Sequence, residues 1–395
     1  MSRRAPVLLI LLVPVVLLAG VWLGGHPERL PGFVRTSALV DESRQERVLD
    51  QAFDVIEEDY YREVDRGDLL DRALESAVAS LDDRFSAYFD AETFAHFQEA
   101  TSGGFEGVGM TVEAVSRGLR VVNIFEGSPA DQAGLEPGDL ILRAGDQRLA
   151  GMTTTEATAL IKGPKGTSVA LRVRSDGDER EVRVRRDRVD VPVVESDMRR
   201  VDGEKIGHVT LSSFTSGAHG EVRQAVRELL DAGAEGIVLD LRDNGGGLLN
   251  EAVLVSSVFI PEGTIVSTDG RARKKRVFEA TGASIDTDVP VAVLVNRASA
   301  SASEIVAGAI QDRGRGTVVG TRTFGKGVFQ EVQQLPNGGA LDITVGEYYT
   351  PSGRNLGGGG PKRGKGIAPD VRAADDADTS RDEALQAALR VAADE

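Results

Sequence analysis

VAVLVNRASASASEIVAGAIQD, residues 291–312, followed by VVGTRTFGKGVFQ at 318–330, decides how the rest of the chain is read. Val291 to Val295 form an unbroken apolar run of strand length, the next residues are small, and Ile305, Val306, Ala309 and Ile310 recur at helical spacing. The stretch therefore predicts a buried strand, a tight turn and a helix, with Ser301 at the junction. A side chain there points outward beside the unpaired N–H groups of the first helical turn, which can stabilise a developing oxyanion. Two readings of Ser301 are open. One is a nucleophile; the other is a helix cap, because Ser301-Ala302-Ser303-Glu304 matches the S-x-x-E capping box.

Downstream, Lys326 stands between two glycines in an otherwise uncharged run from Thr323 to Gln330. A desolvated lysine without an acidic partner has a lowered pKa, and its neutral amine is a competent base toward a serine hydroxyl. Gln330, four residues on, returns to the same face in a helix or a strand and is placed to orient that amine. The plainer readings are a surface lysine in a glycine turn and a solvated strand residue.

Residue types narrow the chemistry further. A Ser-His-Asp site needs one of the four histidines, His26, His96, His208 and His219, and each lies in a structural or surface context. The absence of cysteine removes a thiol nucleophile and any cysteine-based metal site. No G-x-S-x-G, H-E-x-x-H or S-x-x-K pattern occurs. With 46 basic and 62 acidic residues, the net charge of −16 argues against nucleic acid or an anionic membrane as principal ligand.

Working outward, KIGHVTLSSF reads as a strand, residues 221–232 as a helix, GIVLDLRDNGGG as an apolar strand ending in glycines, and a further helix starts at Leu249. This alternation predicts a mixed α/β core over residues 188–375. The glycine turn lacks G-x-G-x-x-G and any following Gly-Lys-Ser/Thr, so nucleotide binding is not indicated. Asp240 and Arg242 read as a structural pair. RARKKR at 271–276 reads as a solvated hairpin, and the glycine-rich interval 357–366 as a flexible surface loop.

Upstream, residues 41–100 show helical stripes at Val48, Ala52, Val55 and Ile56 and again from Leu69 to Leu81. Residues 101–187 switch to period-two alternation with one amphipathic helix, a small β-rich module. The acidic tail at 376–395 ends in a helix with a weak apolar face. At the N-terminus, Arg3 and Arg4 precede an uncharged apolar run from Pro6 to Gly25; its ~20 residues suffice to span a bilayer. That favours a signal anchor over a cleaved signal peptide at 1–25, a linker at 26–40, and export of the remainder.

SASASEI with TFGKGVFQ resembles the active-site signature of the carboxy-terminal processing peptidases, the tail-specific proteases. The resemblance extends through GIAPDV at 366–371, LDDRFSAYFD at 81–90, and SPADQAGLEPGDLILRAGD at 128–146, which looks like the core of a PDZ domain. It implies Ser301 as nucleophile, Lys326 as base and Gln330 as its support, with the oxyanion held by the N–H groups of Ala302 and of a glycine in 245–247, Gly246 the first choice. It also implies a crotonase- or Clp-protease-like core. The PDZ module would grip an extended peptide at a sheet edge, its terminal carboxylate in the loop Gly107-Val108-Gly109-Met110. Val108 and Met110 would wall the pocket for the last side chain. LDDRFSAYFD also reads simply as a helix end. No metal or cofactor is required. The expected partners are protein substrates with unstructured C-termini, and the membrane through the anchor; an adaptor or self-association stays open. The rival class is a catalytically silent PDZ scaffold, and a third reading is a protease gated by its PDZ domain.

Overall fold

The computed structural model describes residues 38–394 apart from 283, 286, 287, 361, 362, 377, 378 and 380. The expected anchor at 1–25 and most of the linker lie outside the described residues. Among the described residues no helix is long and apolar enough to cross a membrane.

The chain divides into two compact units, residues 1–77 and 78–395. In the first, helix α1 (Ala38–Asp59) is followed by α2 (Arg66–Ala79). Arg66 gathers three carboxylates of α1, Asp50 at 3.0 Å, Asp54 at 2.8 Å and Glu57 at 2.6 Å. Both predicted helices are present, but Val48, Val55 and Ile56 of the α1 stripe stay exposed.

The second unit begins with a departure from the expected all-helical region. Ala87–Phe89 form strand β1, which pairs with Asp342–Ala340, and only then does α3 (Ala91–Thr101) follow. The alternation there buries Tyr88, and the main chain completes a sheet edge rather than a helix end.

The β-rich module enters through β2 (Gly104–Gly107). It then builds one antiparallel sheet from β3 (Met110–Val115), β4 (Gly118–Ile124), β5 (Leu140–Ala144), the short β6 (Gln147–Arg148), β7 (Ser168–Ser175) and β8 (Asp178–Arg185). A single turn, α4 (Pro129–Gln132), and helix α5 (Thr154–Ile161) close the module over a core that includes Leu119, Ile141, Leu149 and Leu171. The chain leaves through β9 (Asp187–Asp190), which pairs antiparallel with β2. Incoming and outgoing strands thus make a two-stranded neck to the core.

In the core, β10 (Val194–Val201), β11 (Glu204–Leu211), β12 (Gly236–Asp240), β15 (Val291–Val295), β16 (Thr317–Gly320) and β19 (Val371–Arg372) lie side by side in that order. All the pairs are parallel except β10 with β11. Strands covered on both faces read as continuous apolar runs, which explains Val291–Val295. Val291, Val293 and Val295 pack toward α6 (Ala218–Asp231), α7 (Leu249–Phe259) and α8 (Ala302–Asp312). Ala292 and Leu294 face the opposite way, onto α9 (Glu383–Asp394), where Ala384, Leu385, Ala388, Leu389 and Ala392 are buried. The weak apolar face of the acidic tail is therefore one wall of the core. A second, antiparallel sheet joins β1 to β18 (Ala340–Tyr349), which also pairs with β17 (Val328–Gln334) and β13 (Thr264–Gly270), with β14 (Arg273–Glu279) outermost. The basic hairpin expected at 271–276 is the β13–β14 turn with the first residues of β14.

Arg242 ties α9 to the sheet. Its guanidinium donates to Asp240 at 2.7 Å through Nη2 and to both oxygens of Asp382 at 2.9 Å. Asp382 also accepts from the Leu385 N–H at 2.8 Å, so it caps the helix. Arg242→Ala leaves the buried Asp240 short of its main cation. It should cost about 2–3 kcal/mol, below the fully buried range because Arg242 is partly exposed. Urea unfolding of the two proteins measures the difference.

Candidate functional site

Ser301 follows β15 and starts α8 with φ 55° and ψ −112°, a conformation that L-residues rarely adopt. Such strain costs of order 1–3 kcal/mol and collects where a side chain must be thrust out of a strand-to-helix turn. Gly246 permits it: a Cβ on this residue would stand 2.8 Å from the Ser301 Cβ and 3.0 Å from the Ala302 nitrogen. The glycine turn and the serine turn, both at carboxyl ends of parallel strands, are thus in contact.

Glu304, the other half of the capping box, does more than cap. Its carboxylate is fully buried and accepts four hydrogen bonds. Oε1 receives the Thr323 hydroxyl at 2.6 Å and the Gly325 N–H at 2.7 Å. Oε2 receives the backbone N–H of Ser301 at 3.0 Å and that of Lys326 at 2.9 Å. One oxygen therefore holds the two candidate reacting residues by their main chains. The Thr323 hydroxyl itself accepts from the Ile367 N–H at 2.7 Å, so its proton is directed at Glu304 and the carboxylate is the acceptor of all four. Burial pushes the Glu304 pKa up from the ordinary carboxylate value, and these donors oppose the rise.

Lys326 is fixed on every side. Its carbonyl accepts the hydroxyl of the fully buried Tyr348, and its Nζ donates to Gln330 Oε1 at 2.7 Å. Gln330 Nε2 in turn donates to Thr344 Oγ1 at 2.9 Å, as the spacing of lysine and glutamine suggested. Burial lowers the Lys326 pKa below the ordinary lysine value, while Asp342, Asp83 and Glu304 pull it back up. The amine also lies 5.0 Å from the centre of the Phe85 ring.

The segment 81–90, read as a helix end as readily as anything else, supplies part of this site. Asp83 accepts from the Phe85 N–H at 2.9 Å and the Ser86 hydroxyl at 2.6 Å, and Ser86 Oγ accepts the Thr344 N–H at 3.0 Å. Phe85 thereby covers the amine while Ser86 steadies the residue that steadies Gln330. Nothing in sequence separation announced a contact between residue 86 and residue 344; only the acidic and aromatic composition marked the segment.

Three expectations need correction. Gly246 touches the serine turn, but its N–H is already donated to Asn244 Oδ1 at 2.8 Å, so it is not a free oxyanion donor. Ala302, at the first helical position, has an N–H with no intrahelical acceptor, and the flanking glycines 245 and 247 are the alternatives. The interval 357–366 is no simple surface loop. Gly364 N–H donates to the Gly325 carbonyl at 2.9 Å, and a Cβ on Gly327 would meet the Gly357 nitrogen at 2.3 Å. These glycines let two backbones lie against each other beside Lys326.

In the β-rich module, Val108 is 4% exposed and belongs to the core, so it cannot wall an open pocket; Met110 is half-buried at the start of β3. Two carbonyls of the loop are engaged within the module. The Val108 carbonyl accepts from the Ala130 N–H at 2.7 Å, and the Gly109 carbonyl from the Phe125 N–H at 3.1 Å. Across planar trans peptides, N–H points opposite to C=O, so the Gly109 and Met110 N–H groups are aimed away from those donors. Gly107 pairs with Asp187 at the neck, and Gly109 has φ +82°, where a side chain would strike Ser128.

The described histidines are engaged elsewhere. His208 stands 3.3 Å from Asp240, His219 Nδ1 lies 2.8 Å from Glu251, and His96 is exposed among Glu92 and Glu99.

Comparison with known proteins matches successive parts of the chain to three family profiles. The profile of Peptidase family S41 matches residues 205–373, that of a PDZ domain residues 120–175, and that of the activating protease CtpB N-terminal domain residues 34–93. The carboxy-terminal processing protease CtpA of Bacillus subtilis is 35% identical over 339 residues, 85% of this chain and 70% of its own. The carboxy-terminal-processing protease of Bartonella bacilliformis is 34% identical over 364 residues, 90% of this chain and 81% of its own. Among solved structures, the photosystem II D1 C-terminal processing protease aligns at 30% identity with a TM-score of 0.50, over 84% of this chain and 88% of that one.

Proposed function

Because this chain belongs to the carboxy-terminal processing proteases of peptidase family S41 and contains a PDZ domain, we propose that it is an envelope endopeptidase acting through Ser301 and Lys326. In this reading the PDZ domain captures the carboxyl terminus of a protein substrate and the core cleaves the chain nearby. Ser301 Oγ attacks the scissile carbonyl carbon as the neutral Lys326 amine takes its proton. The N–H of Ala302 and of a glycine beside Gly246 receive the oxyanion. Collapse expels the amine product, protonated by the Lys326 ammonium, and leaves an acyl ester on Ser301. Water then attacks that ester, giving its proton to Lys326, and the new carboxyl terminus departs as Ser301 regains a proton.

The observation that most supports the dyad is the Glu304 oxygen shared by the backbones of Ser301 and Lys326. Export rests on Arg3 and Arg4 preceding the apolar run, with the basic residues kept inside. The test is mass spectrometry of envelope-protein termini in cells making the parent or Ser301→Ala. Shortened C-termini present only with the parent are the expected result; the same termini in both would leave a silent scaffold as the better account.

Thr344→Val removes the acceptor of Gln330 with little change of shape. It should lower kcat/KM about fivefold, the worth of one neutral hydrogen bond. A loosened Gln330 also withdraws an acceptor that favours the charged amine, so the acidic limb of the pH–rate profile should move to lower pH. A purely structural role for Thr344 would leave that limb in place.

A further inference from the structure

Alongside the serine and lysine loops, a pocket of about 540 Å³ opens at the carboxyl ends of β15, β16 and β19. Its wall includes Arg297, Arg322, Phe324, Arg363, Lys365 and Arg372. Arg297 and Arg322 lie just beyond the last residues of β15 and β16, and Arg372 pairs in register with Gly320. In open α/β sheets the carboxyl ends of the strands are where ligands bind. Ser301 leaves the same edge of the same sheet.

The pocket also shares a wall with the site. Thr323 lines it and donates to Glu304, and the Phe324 N–H donates to the Ser299 carbonyl at 3.0 Å. A chain bound across the serine turn has this cavity beside it.

Its charge is out of keeping with the molecule. In a chain of net charge −16, five cations gather here, and among the described residues none of them forms an ion pair. The contacts they do make go to neutral groups: Arg363 Nε to the Phe324 carbonyl at 2.8 Å, its guanidinium 4.6 Å from the Phe324 ring centre, and Arg322 Nη1 to the Lys365 carbonyl at 3.2 Å. Nearby carboxylates are spent elsewhere. Asp370 accepts from the Val318 N–H and from Gln311, and Asp243 from Asn296. Guanidinium groups without acidic partners are matched to carboxylates, which they bind through paired N–H donors. The cavity is larger than one inorganic anion fills, and its cations come from several separate segments, as suits a run of acidic side chains.

We infer that this pocket binds acidic side chains of the substrate polypeptide close to the bond that is cut, an inference that rests on the peptidase reading above. The experiment uses the full chain and three peptides with one cleavage sequence and one apolar C-terminus. The first is neutral; the others carry a run of Asp and Glu before or after the cleavage point. At low salt, one acidic peptide should show kcat/KM about tenfold above the neutral one, the lower end of electrostatic focusing. The advantage should shrink in high salt. Arg297→Glu/Arg372→Glu should abolish it while cutting the neutral peptide as the parent does. Binding of the same peptides to Ser301→Ala, followed by fluorescence anisotropy, reads the pocket without turnover and should show the same order. Equal cleavage and equal binding of all three peptides overturn the inference, as does a preference that survives the double substitution. A parent that cuts none of them, yet binds the acidic peptide more tightly, strikes the peptidase reading and leaves the pocket standing.

Discussion

Lys326→Met should hydrolyse no peptide at a measurable rate, a loss of at least about 10³-fold given what general bases contribute. The substitution keeps most of the stem and deletes the amine, so a steady-state assay of the purified variant isolates the proton acceptor. The pH profile of the parent supplies the independent measurement. The folded pKa of Lys326 is lowered by burial, against the pull of Asp342, Asp83 and Glu304. Activity of a neutral-amine base therefore rises with pH through that lowered value and is lost as the amine is protonated below it. A rate unchanged into the acid range would remove Lys326 from this role.

The same shift has an opposite effect on stability. An amine whose folded pKa lies below its unfolded one disfavours folding at every pH where the unfolded chain holds the extra proton. Lys326→Met should thus melt higher than the parent at neutral pH, and the gap should close as pH rises toward the ordinary lysine value. In the proposed role Lys326 trades stability for function, as buried catalytic groups commonly do.

Glu304→Gln should be nearly as damaging by a different route. Every group facing the carboxylate is a donor, so an amide nitrogen in place of either oxygen meets two donors and satisfies neither. The variant should lose about 2–4 kcal/mol, the cost of unpaired buried polar groups. Its kcat should fall about 100-fold, comparable to other losses of transition-state geometry, with KM little changed, because the serine and lysine loops lose their common anchor. A drop in folded fraction with normal kcat per folded molecule would make Glu304 purely structural. Thr323→Val, which removes one donor to the carboxylate and the acceptor of the Ile367 N–H but leaves the carboxylate in place, should show a smaller loss of the same kind.

Much of this was legible in the chain. Val291–Val295 declared a strand buried on both faces, and the small residues after it declared a tight turn. Glycines isolate Lys326 and its spacing to Gln330 is local, but only the family resemblance raised the two above a surface lysine and a solvated strand residue. Gly246 could be placed against the serine turn by family resemblance, but the direction of its N–H could not, since that depends on Asn244 turning back to accept it. Val108 looked like pocket lining because apolar residues of a loop and of a core have the same composition. Segment 81–90 was marked by resemblance and composition alone, and the glycines at 357–366 read as a simple loop, for one reason. Their value lies in contacts with strands and loops far along the chain, and periodicity reports only neighbours. Glu304 was visible as a cap; that it also grips residues 323–326 belongs to tertiary structure.

The position of α9 bears on the order in which the protein comes into being. The PDZ module, residues 104–190, has its own core and can close as a unit before the rest of the chain is in place. The sheet behind Ser301 cannot. One of its faces stays bare until residues 383–394 arrive to cover Val238, Ala292 and Leu294. The chain can therefore hold a folded PDZ module while the sheet that carries Ser301 is still unfinished, and the last described helix sets when that sheet closes.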